Sequence, residues 1–319
     1  MNANIKKQPA WLQLVIFGLC TFGIALIGSF IGFGILAKIY HISLLQMSTL
    51  TTADFAKPEY VAVAKGLLVV QFFAIFLVPS LLFAWLADPH PFQFAGLKMP
   101  DRMNYLVVGV VIILFSYLLV IWLGELNQWL VKAVFGKAAQ AWIEKGESDV
   151  DGTLQNILNM KNAHDLWVSI LLVGVLAAVG EELFFRGILQ RILIQAFKSP
   201  WIGIVITGAI FSAIHGQFLG FLPRMILGII LGALYWYSGS LFPAMLGHFV
   251  FNSLQVVLLY YKKIDSNDQH SGMTEKMIPL LGVISLAIII ALLNYLRKRS
   301  VTTYDKVYAI SPPTDGFPE

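Results

Sequence analysis

The chain has 319 residues, 58% of them hydrophobic and 13% charged, with a mean hydropathy of +0.75. Soluble domains carry roughly a quarter charged residues, so the composition excludes an ordinary soluble domain and makes a lipid bilayer the expected solvent. The net charge of +4 does not indicate nucleic acid, because the lysines and arginines stand between and beside apolar runs, where they set membrane orientation.

Lys6 and Lys7 precede a first apolar run over 11–36. That run exceeds the ~7–15-residue core of a signal peptide and reads as a retained first span. A spanning helix needs about 20 mainly apolar residues. Eight segments qualify, at 11–37, 61–87, 105–124, 166–194, 201–217, 220–238, 241–261 and 277–296. The stretch 129–135 is too short to span and either extends the third helix or lies at the interface. The acidic stretch around Glu144, Glu147, Asp149 and Asp151 fits a loop outside the membrane. Beyond Arg299 the tail 300–319, with Pro312, Pro313 and Pro318, has no periodicity and is expected to be flexible coil. The fold class is therefore all-α: one polytopic membrane helix bundle over 1–299, integral and multi-pass, in the plasma membrane if the source is bacterial. The single cysteine, Cys20, lies inside an apolar run, and no disulfide or Cys/His zinc pattern exists.

Strongly polar side chains concentrate in the second half. The fourth segment reads Gly180-Glu181-Glu182-Leu183-Phe184-Phe185-Arg186. A charge near the centre of a spanning helix costs roughly 2.5–3.5 kcal/mol on the insertion scale, so each such group needs a partner or a wet cavity. Glu182 and Arg186 are four apart and share a helix face, which predicts an ion pair. Glu181 is rotated about 100° away and faces another site. The fifth segment carries Phe211 and His215; the seventh carries His248 and Asn252, again four apart. If these helices adjoin, Glu181, His215, His248 and Asn252 share one buried polar cavity. The set would supply a general base, a second proton carrier and two hydrogen-bond donors, which is what amide hydrolysis by water requires. No His-Glu-x-x-His helix, Gly-x-Ser-Gly nucleophile or aspartate within a span competes with this reading.

In this order on successive hydrophobic segments, Glu181-Glu182-x-x-x-Arg186, Phe211-x-x-x-His215 and His248-x-x-x-Asn252 resemble the three motifs of the CPBP family, the type two CAAX prenyl proteases and related Abi and bacteriocin-processing proteins. The resemblance covers 165–262 and includes Gly228, Gly232, Tyr235 and Gly239-Ser240-Leu241. It implies an eight-helix intramembrane bundle. It also implies that Glu181 activates water with help from His215, that His248 and Asn252 stabilise the oxyanion, and that Glu182 and Arg186 support the site, with Phe211 part of the second motif.

The expected function is an intramembrane endopeptidase acting on a membrane-anchored or prenylated peptide or protein. The alternatives are a non-catalytic membrane scaffold or bacteriocin-immunity protein and, after these, a proton-coupled transporter. No cofactor is favoured. Zinc or another divalent metal is the alternative, with Glu181, His215 and His248 as its candidate ligands. Against zinc, catalytic zinc sites commonly draw two ligands from one helix, whereas these three come from separate spans.

An even number of spans places both terminal basic clusters on the cytoplasmic side. Accessibility tags placed before Lys6 and after Arg299 should both report as cytoplasmic; opposite signals at the two ends would rule out the even count.

Overall fold

The computed structural model describes residues 5–50, 52–55, 57–264 and 277–308. Its principal helices are α1 (Ala10–Ile39), α2 (Pro58–Ala87), α3 (Asn104–Val134), α4 (Lys137–Ile157), α5 (Ala163–Phe197), α6 (Pro200–Ala213), α7 (Phe221–Ser238), α8 (Phe242–Ile264), α9 (Met277–Arg299) and α10 (Tyr304–Tyr308). No strand occurs among the described residues. The protein is an all-α, multi-pass integral membrane bundle.

All eight predicted apolar segments fall on helices, but the count of full crossings needs correcting. Seven helices among the described residues are long and apolar enough to cross a membrane; α6, at 14 residues, is not. At 1.5 Å per residue it covers about 21 Å of a hydrocarbon core of about 30 Å. Its start is set by Ser199, whose hydroxyl accepts from the Ile202 amide, and by Pro200 in the first turn. Its end comes at Gly216, whose φ of +67° suits glycine. Hydropathy continues through Ile214, so the sequence pattern alone did not reveal the early stop. Because α6 still runs antiparallel to its neighbours, the two ends of the described chain meet at one end of the bundle. There Lys6 pairs with Asp88, and the Tyr308 hydroxyl donates to the Arg191 carbonyl.

Three further differences from the sequence reading follow from packing. The stretch 129–135 continues the third helix to Val134. The acidic stretch expected as a loop is the amphipathic helix α4, which lies against α2 and the short helix Thr52–Phe55. Coil was expected from residue 300, yet Tyr304–Tyr308 forms a short helix, and Tyr304, Val307 and Tyr308 pack onto the core. Residues 309–319 of that tail lie outside the described residues.

The core centres on α7, which is 67% buried, against 6% for α1 on the lipid-facing rim. α7 packs on α3, α6 and α8, and α8 also meets the first half of α5. The close approach of α6 to α7 depends on Gly208 and Gly228. A Cβ on Gly208 would stand 3.0 Å from the Met225 carbonyl and 2.9 Å from Ile229 Cγ1; one on Gly228 would stand 3.1 Å from the Gly208 Cα. Small residues at such crossings let membrane helices pack backbone to backbone.

Gly208→Val should therefore lower the unfolding temperature in detergent, with an overpacking cost of roughly 1–3 kcal/mol. An unchanged unfolding temperature would show that the two helices do not rely on this contact.

Candidate active site

The two carboxylates sit on a short α-helical turn, Ala177–Glu182, between two π-helical stretches of α5, Ile170–Leu176 and Leu183–Gln190. Gly180 lies where α5 presses on α2: a Cβ there would stand 2.8 Å from the Phe72 ring. The neighbouring carboxylates have different surroundings, as helix rotation predicts. Glu182 has no exposed side-chain surface, whereas the Glu181 side chain keeps 15%.

Glu182 is held from two directions. Its Oε1 accepts from Arg186 Nη1, the predicted i, i+4 pair, and lies 2.8 Å from His248 Nδ1 on α8. Arg186 is also fully buried. Its Nη2 donates to the Gly228 carbonyl of α7 at 3.2 Å, and its guanidinium stacks over the Phe211 ring of α6 at 4.6 Å. One ion pair thus ties α5 to α6, α7 and α8. A carboxylate accepts hydrogen bonds and an imidazole nitrogen facing it donates, so the contact places a proton on His248 Nδ1. The other ring nitrogen, Nε2, then faces Glu181 with Oε2 3.9 Å away, too far for a direct hydrogen bond.

His215 and Asn252 lie at the edges of this cluster. His215 Nδ1 is 2.8 Å from the Phe211 carbonyl, which fixes the proton on Nδ1 and leaves Nε2 free. Both histidine rings meet Phe211 edge-on, with centroids 5.1 Å away for His215 and 6.1 Å for His248. No direct hydrogen bond joins His215 to Glu181. Asn252, one turn beyond His248, donates to the Val173 carbonyl at 2.9 Å, within the first π-helical stretch of α5. Its second amide hydrogen is not used by that bond.

Sequence reasoning missed Arg224, in the first turn of α7. Its guanidinium lies in the electrostatic field of Glu181 and of Glu147 on α4, and it donates to Gln217 Oε1 at 2.7 Å. The available signal was a charge inside the sixth predicted span. The loop 214–220, which carries His215, is clamped in ways no local pattern announces. Asn127 donates to the Phe218 and Leu219 carbonyls at 2.7 and 2.8 Å, and Glu147 accepts from the Leu219 amide at 2.9 Å. Irregular backbone at membrane depth is tolerated where protein groups satisfy it in this way.

Beside the cluster, a largely apolar groove of about 620 Å³ opens between α1, α2, α5 and α6, with Phe17, Phe76, Phe184, Phe185 and Ile214 in its wall. Phe185 touches Phe211, with ring centroids 5.1 Å apart, so the groove borders the polar site.

The candidate zinc ligands Glu181, His215 and His248 come from α5, the loop after α6 and α8. No group of three His, Cys, Asp or Glu side chains gathers as a metal-binding set among the described residues. His248 Nδ1 faces Glu182 and its Nε2 is turned toward Glu181, with Oε2 3.9 Å away, an arrangement that a metal-bound histidine backed by a carboxylate also has. Zinc would need ligand atoms near 2.0–2.2 Å from a common centre. Glu181 and His248 face one another, but no third such side chain joins them among the described residues.

Residues 163–254 match the family model described as type II CAAX prenyl endopeptidase Rce1-like. The match spans every motif residue from Glu181 to Asn252, which bears out the resemblance read from the sequence. Over 116 residues the chain is 28% identical to the uncharacterised protein YpbD of Bacillus subtilis strain 168, an alignment covering 34% of this chain and 57% of that protein. The chain thus spans little more than half the length of this curated relative. No solved structure matches.

Breaking the buried pair from one side leaves the other charge without compensation. Arg186→Ala should cost roughly 3–5 kcal/mol of stability, whereas Glu181→Gln should leave the unfolding temperature nearly unchanged. Equal stability of the two variants, measured side by side, would contradict the division of labour between Glu181 and Glu182.

Proposed function

From the match of residues 163–254 to CAAX prenyl endopeptidases, we propose that this chain is an intramembrane endopeptidase that hydrolyses a peptide bond in a membrane-anchored substrate. The observation that carries the proposal is the pairing of Glu181 Oε2 with His248 Nε2 at 3.9 Å, with His248 locked from behind by Glu182. A water held against both atoms has a base on one side and a fixed imidazole on the other.

In the proposed reaction Glu181 takes a proton from this water as its oxygen attacks the scissile carbonyl. His215, across the Phe211 ring, shares in moving that proton. The tetrahedral oxyanion is met by His248, which in its protonated form presents Nε2–H, and by the free amide hydrogen of Asn252. Collapse of the intermediate sends the proton from Glu181 to the leaving amine. Glu182 and Arg186 orient His248 and touch no reacting atom. The proposed steps rest on Glu181 as the base and invoke no metal. The apolar groove beside Phe185 supports a substrate whose lipid chain, a prenyl group by the family resemblance, lies between α1, α2 and α5.

The test is cleavage of membrane-anchored reporter peptides, prenylated and unlipidated, by the purified protein in detergent, where no ion gradient exists to drive a transporter. Wild type should cleave and prefer the prenylated peptide. Glu181→Gln should abolish turnover while leaving expression intact; full activity in this variant would end the proposal.

Removing a single oxyanion donor typically lowers the rate about 100–1,000-fold. Asn252→Ala should therefore reduce kcat by that order with little change in KM. An effect confined to KM would assign Asn252 to substrate binding instead.

A further inference from the structure

At the end of the bundle where the two ends of the described chain lie, a second cavity of about 250 Å³ stands away from the candidate active site. Four connecting segments build it: the turn between α2 and α3, the end of α5, the turn from α7 to α8, and the strap that follows α9. Its charged lining is Lys98, Arg191 and Lys306 against one carboxylate, Asp101. No carboxylate lies within ion-pair distance of any of these three cations among the described residues.

The central cation is held in place. The Arg191 guanidinium stacks between two rings, 4.5 Å from the Phe94 centroid and 5.4 Å from that of Tyr308. The Tyr308 hydroxyl donates to the Arg191 carbonyl at 2.8 Å, and the buried Tyr235 hydroxyl interacts with the guanidinium. Gly96, at φ +80°, lets its turn press against the Tyr235 ring, where a Cβ would stand 2.6 Å from Cε2. An arginine pinned by aromatic faces keeps the N–H donors that do not face Tyr235 for a planar or tetrahedral anion, and little side-chain entropy remains to be lost on binding. The two lysines are exposed and reach the cavity from its rim.

Its position narrows the ligand. The cavity sits at helix ends, on the face that also carries Arg102, Arg297, Lys298 and Arg299. Trp201, half-exposed at the start of α6 and edge-on to Tyr237 with ring centroids 6.3 Å apart, is the kind of residue enriched at the headgroup level of a membrane. Ile194, Trp236 and Val307 add an apolar wall beside the cations. A pocket with fixed cations on one side and apolar surface on the other, at the depth of lipid headgroups, suits an anionic phosphate ester.

We propose that this cavity is a binding site for a phosphate-bearing anion, with Arg191 as its anchor and Lys98 and Lys306 as rim contacts. An anionic phospholipid headgroup and a free phosphate are the two sources of that chemistry. The site is separate from the peptidase reading and does not depend on it.

The experiment is native mass spectrometry of the full chain in detergent, titrated with dioleoyl phosphatidylglycerol or dioleoyl phosphatidylcholine, with and without inorganic phosphate as competitor. The anionic lipid should be retained over the zwitterionic one, and its affinity should fall about fivefold for each cation removed. Arg191→Gln tests the anchor. Lys98→Gln/Lys306→Gln removes two exposed charges and keeps the test valid if the Arg191 variant fails to fold. Displacement of the lipid by inorganic phosphate would assign the site to soluble phosphate as well; resistance to displacement would assign it to the lipid. Equal retention of the two lipids by wild type, or undiminished binding in the double lysine variant, would overturn the proposal.

Discussion

A carboxylate and a guanidinium with no exposed side-chain surface, Glu182 and Arg186, stand inside a lipid-embedded bundle. Moving either ion alone into such a medium costs several kcal/mol, and their mutual attraction offsets this only when the remaining hydrogen-bonding positions are also filled. The bundle meets part of this need from three other helices: the Gly228 carbonyl of α7 accepts from Arg186, the Phe211 ring of α6 covers its guanidinium and His248 of α8 donates to Glu182, while Glu182 Oε2 and Arg186 Nε have no hydrogen-bond partner among the described residues. The requirement reaches outward from there. Arg186 meets the α7 backbone at Gly228, the residue where α6 and α7 also touch through Gly208, and His248 turns its second nitrogen toward Glu181 because its first is committed to Glu182. The pair is therefore both the constraint that positions four helices and the device that orients the candidate chemistry.

The backbone of α5 adds a second device. Two π-helical stretches flank the turn that carries Glu181 and Glu182. Such insertions disturb the regular i→i−4 ladder and occur frequently at functional sites. In the first of them the Val173 carbonyl accepts from Asn252, and Glu182 meets His248, so α8 is fastened to α5 at two points.

Much of this was legible in the sequence because a bilayer imposes strict rules. Lipid demands long apolar runs, so all eight helical legs stood out in hydropathy. It also penalises charge, so Glu181, Glu182 and Arg186 announced themselves inside one run, and their spacing assigned Arg186 to Glu182 and turned Glu181 elsewhere. The elements that were not legible obey weaker local rules. The helix α4 has no apolar run, and its polar residues read as a loop; its amphipathic face gains meaning only from the elements it covers. The early end of α6 rests on a left-handed Gly216 that hydropathy does not register. The reach of Arg224 toward Glu181, and the hold of Glu147 on the His215 loop, are tertiary facts between residues far apart in the chain. The docking of Tyr308 on Arg191 is of the same kind.

The most direct measurement of the central claim is the protonation of the His248 ring, read by 15N NMR on histidine-labelled protein, with a His248→Gln variant to assign its signals. If Glu182 holds His248 as described, Nδ1 carries a proton in every state of the ring, and replacing Glu182 with glutamine shifts that signal. A wild-type ring protonated at Nε2 alone, with Nδ1 bare, would contradict the account, because the nitrogen facing Glu182 would then have nothing to donate.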